Sequence, residues 1–159
     1  GSFSKTATPG MRVGYLVCKN AELLETIAAA KESSDVHTSV LSQYVLYDYL
    51  THNDYDGHIA EIRALYESQC KTMLDAMSEC FPASVSYTRP DGGMFIWCTL
   101  PEGKTALDFF YEAVECKVAV APGDPFYTAP KAVRTFRLNY TNASKEEIRE
   151  GIRRLGTLL

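Results

Sequence analysis

Two stretches of this sequence set reactive groups close together along the chain. In SFSKTATPGMR, Lys5 stands among Ser2, Ser4 and Thr6, and Arg12 follows a Pro9-Gly10 turn. A deprotonated lysine amine attacks carbonyls, and the imine it makes with an aldehyde gives the electrons of a developing carbanion somewhere to go. An aldehyde that carries a phosphate also needs anion binders nearby. The three hydroxyls and the planar fork of Arg12, brought back by the turn, are suited to that task. Spacing alone is equally compatible with a solvated loop and an incidental lysine.

The second stretch is TFRLNY. Alternation puts Phe136, Leu138 and Tyr140 on one face of a strand and Thr135, Arg137 and Asn139 on the other. Arg137 is then either an arginine on the wet side of an edge strand or a bidentate clamp for a carboxylate, able to orient a reacting carbon as a lysine ammonium cannot. PDGGMF and APGDPFY place glycines next to short strands, where the chain must turn tightly or admit a ligand. His37, His52 and His58 lack metal-ligand spacing, and no metal is expected. The five cysteines lie far apart without a CxxC pair, which favours reduced thiols and a cytoplasmic protein.

The elements that must position these groups follow from periodicity. The β-rich run 12–17 predicts a strand, and Asn20 caps a helix whose Leu23, Leu24, Ile27 and Ala30 recur at helical spacing. Helices are expected over about 38–50 and 55–80, the latter with Ile59, Ile62, Tyr66, Cys70, Met73 and Met77 along one face. The pattern then changes to period two around Val85 and Tyr87 and again over Met94 to Cys98, joined by RPDGG as a hairpin. Thr105 with Asp108, and Ser144 with Glu147, predict two more capped helices, and short strands are expected at about 118–121 and 135–140. The expected fold class is α+β, a small and mainly antiparallel sheet packed with helices. Residues 12–17 need neighbouring strands that this sheet would not obviously supply, so the sequence is expected to be a piece of a longer protein.

With 159 residues, 46% of them hydrophobic, the chain can bury a core of its own. A net charge of −4 offers no electrostatic footprint for nucleic acid or an anionic membrane surface. No apolar run approaches the roughly 18–20 residues of a membrane span, and none has the form of a signal peptide.

Taken in order, SFSKTATPGMRVGY, DVHTSVLSQ, RPDGGMFIWCTLP, VAVAPGDPFY, FRLNY and SKEEIREGIRRL resemble the C-terminal part of fold-type I, pyridoxal-phosphate-dependent aminotransferases. The likeness is greatest to the subgroup of 2-aminoadipate, kynurenine and aromatic aminotransferases. It implies that residues 1–36 are a remnant of the large cofactor-binding domain and that 37–159 form the C-terminal small domain. It further implies that Lys5 matches the lysine bonded to the cofactor, Arg12 and Ser2 match its phosphate ligands, and Arg137 matches the arginine that binds the substrate α-carboxylate. The parent would be a homodimer transferring an amino group from an amino acid to a 2-oxo acid, while the fragment alone would be inactive. The large domain, which in this family supplies the partner of the pyridine nitrogen and the residue stacked on the ring, precedes the lysine and is not in this sequence. Winged-helix transcription regulators with an aminotransferase-like effector domain keep very similar motifs and are the alternative.

Overall fold

The computed structural model of the chain describes residues 1–129 and 133–159. It divides into two compact units, Gly1–Ala60 and Glu61–Leu159.

In the first unit the N-terminal segment folds back on itself as a clasp. Phe3 N donates to Val13 O (3.1 Å), Tyr15 N donates to Gly1 O (2.9 Å), and Ser2 and Gly14 form an antiparallel bridge. The turn of the clasp is a short 3-10 helix, Pro9–Met11, closed by Arg12 in the left-handed conformation (φ 54°, ψ 38°). The strand expected over 12–17 is therefore absent. An apolar, β-branched composition permits an extended chain, but a strand also needs ladder partners, and here residues 1–3 supply the backbone bonds. Left-handed Arg12 then breaks the extended run at its first residue.

Helix α1, Ala21–Asp35, begins where the sequence predicts, because the Asn20 side chain accepts from Leu23 N (3.0 Å) and satisfies an otherwise orphaned amide. None of its residues is buried, and Leu23 and Leu24 lie exposed. Helix α2, Val40–His52, is capped by Ser39 and buries Leu46. Helix α3, Tyr55–Cys80, begins in this unit.

The second unit holds the core. From α3 it takes Cys70, Met73 and Met77, the C-terminal half of the predicted apolar face. Strands β1 (Ser86–Tyr87), β2 (Phe95–Thr99), β3 (Ala121–Pro122) and β4 (Thr135–Asn139) form one antiparallel sheet of order β1-β2-β4-β3. With helices α4 (Ala106–Glu115) and α5 (Lys145–Gly156), this is the α+β arrangement the sequence predicts. Only one face of the sheet is buried. Ile96 and Cys98 of β2 and Phe136 and Leu138 of β4 point into the core, where Phe136 meets Phe109 of α4 with ring centroids 4.8 Å apart. Burial pushes the Cys98 thiol up to about 12, so it stays protonated and acts as a small apolar side chain.

Helix α5 adds Ile148, Ile152 and Leu155 to the core, and its start is fixed by a capping box between Ser144 and Glu147. No helix among the described residues is long and apolar enough to cross a membrane. All five cysteines are free.

Candidate active site

The clasp gathers the groups the sequence singles out in SFSKTATPGMR. Ser4 N donates to Ser2 Oγ (3.2 Å), and Arg12 Nη1 donates to Ser4 Oγ (3.4 Å) and Pro9 O (3.3 Å). The turn that holds Lys5 is tied down from inside, because Phe3 O accepts from both Ala7 N (2.9 Å) and Thr8 N (3.1 Å). Lys5 is exposed, and its ammonium has no partner among the described residues. Arg12 has no carboxylate partner among them either, so its charge is uncompensated within hydrogen-bond distance.

A left-handed backbone at a residue that is not glycine costs on the order of 1 kcal/mol or more and persists only where the surroundings enforce it. Here the clasp enforces it, and the result is that the guanidinium returns to the Ser4 hydroxyl. One guanidinium and two hydroxyls, free of competing carboxylates, form a donor set suited to a phosphate.

Arg137 lies in the second unit, on the sheet face opposite the core. Its strand is not at an edge. β4 is flanked by both β2 and β3, with Trp97 on one side of Arg137 and Ala121 on the other in register. The edge-strand alternative therefore does not hold. The guanidinium carbon lies 3.9 Å from the Phe95 ring centroid and 4.9 Å from that of Phe126. No carboxylate, carbonyl or hydroxyl accepts from it among the described residues.

The two glycine loops serve the fold in different ways. Gly93 has φ +90°, a conformation that favours glycine where RPDGG turns into β2. Gly123 is needed for closeness. Its N–H donates to Thr135 O (2.7 Å), and a Cβ there would meet the Thr135 hydroxyl and stand 2.5 Å from that carbonyl oxygen. This contact holds the short 3-10 helix Asp124–Phe126 against β4 and so delivers Phe126 to Arg137.

The aromatic surround of Arg137 is the part that motif reading missed. The signal was present in the alternation of MFIWC, which separates Phe95 and Trp97 from Ile96 and Cys98. Only the pairing register shows that the first pair shares a face with Arg137.

The chain belongs to the aminotransferase class I and II family, whose model matches residues 1–155. It is 39% identical over 159 residues to a 2-aminoadipate transaminase of Thermus thermophilus, covering 100% of this chain and 40% of that protein. To an aromatic-amino-acid aminotransferase of Thermococcus litoralis it is 38% identical, covering 98% of this chain and 37% of the relative. The structure superposes with a TM-score of 0.90 on the alpha-aminoadipate aminotransferase of Thermus thermophilus complexed with N-(5'-phosphopyridoxyl)-L-leucine, at 39% identity, over 99% of this chain and 40% of that one. A helix-turn-helix transcriptional regulator of Staphylococcus aureus is similar at the lower identity of 28% over 157 residues, with 35% of its length covered. The chain thus spans about 40% of the length of the enzymes it matches.

Proposed function

We propose that this chain is the C-terminal part of a pyridoxal-phosphate-dependent aminotransferase, which moves an amino group from an amino acid to a 2-oxo acid. The observation that carries the reading is the clasp, which ties Ser2, Ser4 and Arg12 together beside an unpartnered Lys5. When bound, the cofactor supplies an aldehyde to receive the amino group and a ring to take up the electron pair of the substrate Cα–H bond.

The chain's own residues have the remaining work. Ser2 and Arg12 hold the cofactor phosphate, and the left-handed backbone of Arg12 sets the direction of its fork. Lys5 would hold the cofactor, and its Nζ, as a free amine, would take the proton from the substrate Cα. Arg137 binds the α-carboxylate edge-on through two parallel N–H donors and so holds the substrate.

In this reading residues 1–36 complete a large cofactor-binding domain and 37–159 are the small domain. The whole enzyme is a cytoplasmic homodimer. Its likeness to 2-aminoadipate and aromatic aminotransferases supports an amino acid with a long or aromatic side chain as donor.

The test is transamination by the full-length protein, measured as 2-oxo acid formed from an amino acid. Activity that vanishes in Lys5→Ala is expected, and wild-type activity in that variant would refute the reading. The similarity to a transcriptional regulator favours a second reading, an effector domain fused to a DNA-binding domain. The sequence preceding Gly1 separates the two, since a basic winged-helix segment means a regulator and a large domain means an enzyme.

A further inference from the structure

The aromatic residues around Arg137 have features that folding does not require. Phe126 is 51% exposed, so burial does not explain an apolar ring at that position. Its ring contacts are Trp97, edge-on at 5.3 Å between centroids and 87° between planes, and the Arg137 guanidinium. Phe95 is two residues before Trp97 on the same face of β2 and takes the guanidinium at 3.9 Å. Two rings from two segments thus contact one cation, and a third, Trp97, packs against one of them.

A buried or half-buried arginine is ordinarily held by a carboxylate, which neutralises it and occupies its donors. Rings do the opposite. They stabilise the charge through its flat face and take none of its five N–H groups, all of which lie in the guanidinium plane. A guanidinium held by aromatic stacking is therefore fixed in orientation while its donors and its full charge stay available to a planar anion arriving edge-on.

We infer that Phe126 and Phe95 are positioning residues that orient Arg137 for the substrate carboxylate, with Trp97 bracing Phe126. The inference rests on the reading of Arg137 as the carboxylate binder. It adds that the stacking rings set the substrate affinity of that arginine, and that they do so through orientation, without touching the reacting atoms. An orientation effect of this kind applies equally to bound substrate and transition state, so it belongs to KM and leaves kcat nearly alone.

The test uses the full-length holoenzyme and four variants: Phe126→Leu, Phe126→Tyr, Arg137→Lys, and Phe126→Leu combined with Arg137→Lys. Phe126 is chosen because its exposure makes the leucine variant compatible with folding, which an unchanged urea midpoint checks. Loss of one cation–π contact predicts a rise in KM for the amino acid of roughly three- to thirtyfold in Phe126→Leu, with kcat within about twofold of wild type. Phe126→Tyr keeps the ring and should restore KM. In the Arg137→Lys background the leucine substitution should cost little more, because the fork it orients is gone.

A KM in Phe126→Leu equal to wild type, an equal loss in the tyrosine variant, or a full additive loss in the double variant would overturn the inference. Failure of the underlying reading looks different: Arg137→Lys itself would then leave the kinetics unchanged.

Discussion

Gly123→Ala probes the contact that joins the fold to the candidate site. The added Cβ would meet the Thr135 hydroxyl and stand 2.5 Å from the Thr135 carbonyl oxygen and 3.1 Å from the carbonyl carbon. The hydroxyl can rotate away, but the carbonyl belongs to β4 at the centre of the sheet and cannot move without disturbing its pairing with Thr99. Overpacking of this kind costs about 1–3 kcal/mol. The segment's shift would also stretch the 2.7 Å bond from Gly123 N to Thr135 O, worth about 0.5–1.5 kcal/mol. A total of about 3 kcal/mol follows, and with a urea m-value of about 2 kcal/mol per M the midpoint falls by about 1.5 M at unchanged m.

Gly92→Ala is the control. Nothing lies within 4 Å of a Cβ there, and its backbone is outside the left-handed region. Restricting the unfolded chain should make that variant neutral or more stable by up to about 1 kcal/mol. The assay is urea unfolding of the 159-residue chain followed by circular dichroism. Equal midpoints for the two alanine variants would refute the packing argument at Gly123.

Two further outcomes are expected. Glu150 accepts from Arg153 and Arg154, which hold its carboxyl down at about 2. Its folded-state value lies below the unfolded one, so the stability it contributes is present above about 4.3 and is lost as pH falls toward about 2. Glu150→Gln should flatten the urea midpoint's dependence on pH across that window, and an identical slope in both proteins would contradict the pairing. In the full-length protein, Arg137→Lys should lower kcat/KM for amino acids by roughly ten- to a thousandfold through loss of a bidentate charged contact. Cofactor absorbance should be unchanged, since Arg137 is not read as a cofactor ligand.

How much of this was legible beforehand differs from residue to residue. Asn20, Thr105 and Ser144 mark their helices because capping is local: a side chain reaches an amide three residues on, whatever the rest of the chain does. The two faces of β4 were legible because alternation is a property of the backbone alone. The strand predicted at 12–17 failed for the complementary reason, that pairing is not local and composition cannot supply a partner.

The apolar positions of α1 were read from spacing, yet Leu23 and Leu24 lie exposed, since period places residues on a face without saying what meets that face. The site divides along the same line. Lys5, Arg12 and Arg137 stand out by residue type. That Gly123 presses against Thr135, and that Phe126 and Phe95 hold Arg137, depends on register and on a turn returning to a distant strand.

In the proposed function Lys5 carries the cofactor. The most direct measurement is to reduce the full-length protein with borohydride in the presence of stoichiometric pyridoxal phosphate, digest it, and locate the phosphopyridoxyl group by mass spectrometry. One label per chain is expected on the peptide containing Lys5, lost in Lys5→Ala. A label on another lysine, or one scattered over many at equal occupancy, would contradict it.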